Sequence, residues 1–528
     1  MGAYPFAPNS NFLSTNKLNN NADIILIYPK TGVDFGSTVA PPHSILSVAA
    51  PLHKEGYKVK IIDQRTDLHW DKSLESGISS KTICIGISCM TGTQIYFAIE
   101  AAKVIRNIDS RVPIVWGGPH PSILPEQTCQ SEYVDIVCVG EGDITFSEIV
   151  KALQAKTPLE TINGIAFKDS NRIIITPERL LLDVETLLPV PWELVNVEDY
   201  IHPDFYLKES PRTLDIGQTS RGCPFNCGFC CSSALQKHKW RPMSVEKALE
   251  VIVDPVKRFK LNGIWIRDDE FYINRDRVNN ICEGIIKANL KIHWYTSGTR
   301  ADIFSRASEE EVDLLKKSGA YVLKFGAESG SNRILKLMNK GITLQDTIEA
   351  NLKAKRHGII PAFALMVGFP TETFEEINQT IDFVSKLRKD NPKAQFETIA
   401  GYTAYPGTPL YELALKYGLK PPQSLEDWID WNVAEYDPLG VRIPWFNYED
   451  RIKIGNISYM SILANALGNT IDGVKNIYLR NILKIISIPI SLYYRLRLKR
   501  KWYSFVPELM VIRYIRKIFF YRSRFTIK

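Results

Sequence analysis

The stretch Arg221-Gly222-Cys223-Pro224-Phe225-Asn226-Cys227-Gly228-Phe229-Cys230 puts three cysteines within eight residues, in the spacing C-x3-C-x2-C. The run 213–218 just before it reads as a strand. Further strand-like runs follow at 263–267, 292–296, 321–325, 360–367 and 396–403, with amphipathic helices between them, for example 244–259 and 374–387. Six βα units without a chain reversal predict a partial (βα)6 barrel over 211–425, with its active groups at the C-terminal rim of the strands. The cysteine loop falls at the rim of strand one. Three thiolates this close can wrap one face of an iron–sulfur cubane and leave one iron open. Ferredoxin clusters take four cysteines, and zinc asks for a fourth ligand at matched spacing. A zinc knuckle or a set of buried thiols is the alternative. Gly222 and Gly228 ease the tight turns. Phe229 can lie against a bound purine, and Cys231 is read as packing.

Upstream, strand-like runs at 24–28, 59–62, 83–88, 112–116 and 134–139 alternate with helical spacing at 44–53, 94–108 and 144–153. That alternation predicts a Rossmann-like, doubly wound parallel sheet over 22–160. Ligands of such sheets sit beyond the strand C-termini, which here carry Gly117-Gly118-Pro119-His120 and Gly140-Glu141-Gly142. Either pair alone is equally a tight turn. A small hairpin and linker are expected over 161–210, and a helical region over 426–528. Residues 1–21 are polar and Asn-rich, and are read as a disordered or extended lead without a signal peptide.

The chain has 528 residues, 45% hydrophobic and 23% charged, which are ordinary globular values. Its net charge of +7 hides an asymmetry. From Lys475 to Lys528 there are 14 Lys or Arg and one acid, Glu508, so the rest of the chain is net acidic. Four of the nine cysteines lie within nine residues, which points to a metal site in a reducing cytoplasm and away from a disulfide scaffold. No run reaches the roughly 18 uninterrupted apolar residues of a membrane span.

The cysteine loop, at the end of strand one and with an aromatic before its last cysteine, resembles the radical S-adenosylmethionine (SAM) superfamily. Arg267-Asp268-Asp269-Glu270-Phe271, Gly326-Ala327-Glu328-Ser329-Gly330-Ser331 and Met366-Val367-Gly368-Phe369-Pro370 resemble its rim segments on strands two, four and five. Tyr405-Pro406-Gly407-Thr408-Pro409-Leu410 resembles the strand-six turn of the cobalamin-binding class. Thr371 stands where a second glycine is common, and Glu372 is left out of the expected site. The resemblance implies that Cys223, Cys227 and Cys230 hold a [4Fe-4S] cluster. It implies that Phe229, Asp268, Asp269, Gly326 and Glu328 contact SAM, and that Gly117, Gly118, Gly140 and Gly142 approach cobalamin (B12). The usual D-x-H-x-x-G motif is missing after the first strand, where the chain reads Tyr28-Pro29-Lys30-Thr31-Gly32. Cobalamin is therefore expected without a protein imidazole, and His120 is read as structural.

The implied activity is reductive SAM cleavage, fed by an electron donor such as flavodoxin or ferredoxin, with C-methylation from methylcobalamin. Radical cyclisation, as in the anaerobic magnesium-protoporphyrin monoester cyclase, is the alternative. A non-catalytic sensor is the rival from another class, and it would have no need of the SAM features. The substrate itself is not legible; a small molecule is expected, and the tail hints at a lipid-like or porphyrin-like one. In the tail, runs such as 493–500 and 512–520 interleave apolar and basic residues. Peripheral contact with the inner face of the cell membrane is expected there, more than nucleic acid; a helix packed on the barrel is the equal alternative. Pro489 and Pro507 are expected to break the tail into short helices. A chain ending before Lys475 is expected to stay folded.

Overall fold

The computed structural model describes residues 21–32, 39–170, 172–431, 442–466 and 477–509. The expected lead, apart from Asn21, and the tail stretch 512–520 lie outside them.

Five short apolar runs form the parallel part of the first sheet: β1 (Ile24–Tyr28), β2 (Val59–Asp63), β3 (Cys84–Ser88), β4 (Ile114–Gly117) and β5 (Ile136–Cys138). β1 is Ile-Ile-Leu-Ile-Tyr, buried on both faces, as a central parallel strand must be. The strand order is β2-β1-β3-β4-β5, which reverses between β1 and β3. That reversal opens a crevice at the strand C-termini. The expected hairpin is β6 (Ile165–Asp169) with β7 (Arg172–Ile175). It extends the first sheet: β6 pairs antiparallel with β5, giving seven strands among the described residues.

The second sheet is the expected series of six parallel strands. They are β8 (Thr213–Asp215), β11 (Gly263–Ile266), β12 (His293–Thr299), β13 (Ala320–Glu328), β14 (Ile360–Val367) and β15 (Gln395–Gly401), paired in chain order. Between β8 and β11, β9 (Ser220–Arg221) pairs with β10 (Arg241–Pro242) and brackets the cysteine loop. Amphipathic helices with side-chain caps cover the outside; Thr373 and Glu376, for instance, form a capping box at the helix Phe374–Asp390.

The two sheets share apolar packing. One cluster of buried residues runs from Ile27, Ile87 and Trp116 of the first sheet to Phe369, Tyr402 and Trp428 beyond the second. Trp428 also donates its indole N–H to Gln127 at 2.6 Å.

The tail departs from expectation in two ways. Ile477–Lys499 is one helix of 23 residues with Pro489 inside it. Furthermore, Tyr494, Leu498, Tyr503, Val506 and Leu509 belong to the barrel's own core. Asn456 donates to Tyr503 O at 2.6 Å, and Tyr503 donates its hydroxyl to Asn378 at 2.9 Å. Removing the tail would uncover that core, which argues against the expectation that a chain ending before Lys475 stays folded. Among the described residues no helix is long and apolar enough to cross a membrane.

Candidate active site

The cysteine loop is pinned from three sides. Gly222 has φ +81°, and the Lys239 carbonyl oxygen lies 2.2 Å from where a Cβ would sit. Gly228 donates its N–H to Met338 O at 2.6 Å and accepts from Leu410 N at 2.9 Å. Asn339 donates to Asn226 O at 2.9 Å. Residues after β13 and after β15 thus hold a segment with almost no regular structure of its own. Cys227 is buried, while Cys223 and Cys230 are half-buried. Burial pushes the thiols of Cys223 and Cys230 up, to about 11 and about 12. Cys231 begins the helix Cys231–Gln236. Among the described residues, no three His, Cys, Asp or Glu side chains converge as they would around one metal ion. Ligands to three different irons of a cubane stand further apart than that. Three thiols on one loop make a donor set that fits a cluster with one open iron.

Beside the loop lies a buried chain of charges. Glu328 ends β13 with φ +58°, a left-handed conformation that is strained for a residue with a Cβ. Its carboxylate accepts from Lys340 Nζ at 2.8 Å, with both side chains buried. Burial works against the charge on Lys340, but the Glu328 carboxylate, and after it the Cys227 sulfur, raise its pKa. A Cβ at Gly326 would sit 2.2 Å from Glu328 Oε1 and 2.6 Å from Lys340 Nζ, so glycine makes room for the pair. Lys340 lies 5.7 Å from the centre of the Phe229 ring, and the Arg300 guanidinium 3.7 Å from that of Phe225. Arg300 also donates to Lys340 O at 2.8 Å and to Asp302 at 3.0 Å. Next to it, burial raises the Glu270 carboxyl to about 7.

The two aspartates at the rim of β11 part company. Asp269 is exposed and accepts from Ser232 Oγ at 2.8 Å. Asp268 is buried and accepts from Thr219 N, Thr219 Oγ1, Ser220 N and Ser220 Oγ, at 2.6–3.1 Å. A carboxylate offers about four lone-pair positions, and the chain fills all of them. Asp268 is therefore a brace under the cysteine loop, where a ligand contact was expected. Glu372, left out of the expected site, turns one oxygen onto Gly368 N and Phe369 N at 2.5 and 3.0 Å.

On the first sheet, the four glycines do different work. Gly118 has φ +96°, and a Cβ there would lie 2.9 Å from Cys89 N and O, so it lets β3 and β4 end close together. Gly142 opens the helix Gly142–Ala155 against Val48. A Cβ at Gly117 would make only ordinary contacts. Gly140, at φ +80°, faces open space, with nothing within 4 Å of a Cβ. No side chain crowds the backbone at that turn, which leaves room for a bulky ligand. His120 is buried, its Nδ1 3.0 Å from Thr91 Oγ1 and its ring packed edge-on to Trp428, and burial pulls its pKa down to about 4.

The two halves of the site meet in one ion network. Arg221, next to the cysteine loop, donates to Asp143 at 2.9 and 3.0 Å, to Glu141 at 3.1 Å and to Ser47 at 3.1 Å. Arg241 donates to both oxygens of Glu141, at 2.7 and 2.9 Å. Burial works to raise both carboxyls, yet Arg241 and Arg221 outweigh it at Glu141, and Arg221 with the Ser47 hydroxyl at Asp143, and hold both below the usual range. Sequence reading missed this network and Lys340. Arg221 stood in the quoted motif, but nothing in the chain order named its partners some 80 residues upstream. Lys340 carries no motif at all.

Residues 36–150 match the model of the B12 binding domain, and residues 218–384 that of the radical SAM superfamily. An uncharacterized methyltransferase of Pyrococcus horikoshii is 35% identical over 402 residues, covering 75% of this chain and 84% of that protein. The anaerobic magnesium-protoporphyrin IX monomethyl ester cyclase of Cereibacter sphaeroides is 26% identical over 383 residues, covering 70% of this chain and 60% of the cyclase. Among solved structures, the cobalamin-dependent S-adenosylmethionine radical enzyme OxsB with aqua-cobalamin bound superposes with a TM-score of 0.68 at 21% identity. That match covers 94% of this chain and 75% of OxsB. The radical S-adenosylmethionine methyltransferase TsrM from Kitasatospora setae gives 0.59 at 17% identity, covering 76% of each chain.

Proposed function

Because the chain belongs to the radical SAM superfamily, in its cobalamin-binding class, we propose that it transfers a methyl group to an unactivated carbon of a small-molecule substrate. A [4Fe-4S] cluster, SAM and cobalamin are the cofactors of that class; when bound, they supply one-electron cleavage of a sulfonium and a methyl donor. Cys223, Cys227 and Cys230 hold the cluster. Glu328 accepts hydrogen bonds from the ammonium or ribose of SAM with Oε2, the oxygen not committed to Lys340, Gly326 keeps the backbone close, and Phe229 and Asp269 border the ligand. Gly140, with Gly117, Gly118 and Gly142 around it, forms the floor for cobalamin. Electrons come from a donor such as flavodoxin or ferredoxin.

The observation that carries this reading is the Arg221 network. It ties the base of the cluster loop to the Gly140-Glu141-Gly142 turn, so that a radical generator and a methyl donor share one interface. The methyltransferase of P. horikoshii points the same way. A second reading, radical ring closure of a porphyrin-type substrate, is supported by the similarity to the cyclase of C. sphaeroides. The products formed from SAM by anaerobically reconstituted protein with cobalamin and a reductant separate the two. Methyl transfer yields S-adenosylhomocysteine from one SAM, and 5′-deoxyadenosine with methionine from another. Deoxyadenosine without S-adenosylhomocysteine overturns the methylation reading.

A further inference from the structure

The helix Ile477–Lys499 is inside out for a surface helix of a water-soluble barrel. Its inner side is committed: Tyr494 and Leu498 are buried in the barrel core, Ser491 donates to Leu463 O at 2.9 Å, and Arg495 Nε donates to Ala464 O at 2.9 Å. The outer side, which should be polar, carries Ile482, Ile485, Leu492 and Leu496 at steps of three, seven and four. They form one stripe opposite the docked face. These four are 47–70% exposed, and the stripe continues into Trp502 and Phe505, at 56% and 67%. Among the described residues nothing covers it.

We propose that this face docks on the surface of an anionic lipid bilayer. The charges around the stripe argue for that occupant. The helix holds no acidic residue, and Lys499 and Arg500 flank its apolar ridge at the C-terminal end, beside Lys501, which is paired with Asp382. A second copy of the chain would bring basic rim against basic rim across the same ridge. A nucleic acid would meet isoleucine and leucine where it needs polar or stacking groups. A bilayer with anionic headgroups takes both parts together: apolar side chains enter the acyl boundary and the cations meet the headgroups. The helix lies along such a surface and does not cross it. The docked inner side would make the barrel itself the anchored body: the helix packs on the barrel with one face and, on this proposal, meets the bilayer with the other. This inference is independent of which reaction the site performs.

The test uses full-length protein and sedimented vesicles of phosphatidylcholine with or without phosphatidylglycerol. Wild-type protein pellets with the phosphatidylglycerol vesicles at low salt and is partly released as salt rises. The variant Ile485→Glu with Leu492→Glu pellets less by about tenfold or more, since each buried aliphatic side chain is worth about that factor in partitioning. Because both positions are exposed, the variant keeps its circular dichroism and its rate of SAM cleavage. Wild-type protein that stays in the supernatant, or a variant that pellets equally, overturns the proposal. So does equal binding to pure phosphatidylcholine, binding to single-stranded RNA and not to vesicles, or a wild-type dimer that the variant dissolves.

Discussion

Glu328 combines two costs at one position, a left-handed backbone and a buried ion pair with Lys340. Strain of that kind persists only where the surroundings enforce it, and here Gly326 leaves the space that makes the pair possible. Glu328→Gln keeps the shape and removes the charge. SAM affinity, measured by equilibrium dialysis on reconstituted protein, should fall by about 1.5–3 kcal/mol, the worth of a charge-assisted hydrogen bond. Iron content should stay intact; unchanged affinity moves the SAM contact elsewhere, to Asp269 first. At this scale, the sequence was a good guide to residue type and a poor guide to allegiance. Asp268 and Asp269 are chemically equal neighbours, and only the fold decides that one is buried under four donors while the other faces outward. Lys340 could not be foreseen, because its partner Glu328 lies twelve residues back, across the intervening helix Asn332–Leu337.

Among the elements, the short β9–β10 ladder was the hardest to read, since two-residue strands have no periodicity. Yet it carries Arg221 and Arg241, which sit across from the Glu141 turn of the first sheet. Removing one partner of a buried pair leaves an uncompensated charge, at about 3–5 kcal/mol. Arg221→Ala should therefore lower the thermal midpoint clearly. Arg221→Lys should recover only part of the loss, because an ammonium lacks the planar fork that bonds two carboxylates. The pH sign follows from depressed carboxyls. Glu141 and Asp143 contribute fully above their ordinary values of 4.5 and 3.8, and the contribution fades as pH falls below these toward the folded values. The wild-type advantage over Arg221→Ala should shrink with acid; a constant difference in melting midpoint from pH 7 down to about 3 contradicts the assignment. The tail helix went the other way. Pro489 was expected to break it, but Pro489 lies on the exposed side, where the helix can bend gently and water can serve the freed carbonyl.

For the whole molecule, the two βα series were legible because parallel strands buried on both faces read as unbroken apolar runs, such as Ile24–Tyr28 and Ile360–Val367. What chain order alone could not supply was how the two sheets meet. That depends on pairs far apart in sequence, among them Arg221 with Asp143, His43 with Asp215, and Trp428 with Gln127. These contacts bring the Gly140-Glu141-Gly142 turn and the start of the cysteine loop to one interface, and the central claim of the proposed reading is that both cofactors work across it. Electron paramagnetic resonance of protein loaded with cluster and cob(II)alamin tests it most directly. The account predicts a base-off cob(II)alamin signal without superhyperfine splitting from a protein imidazole, and faster relaxation of that signal once the cluster is reduced. An imidazole splitting, or relaxation indifferent to the cluster's redox state, would contradict it.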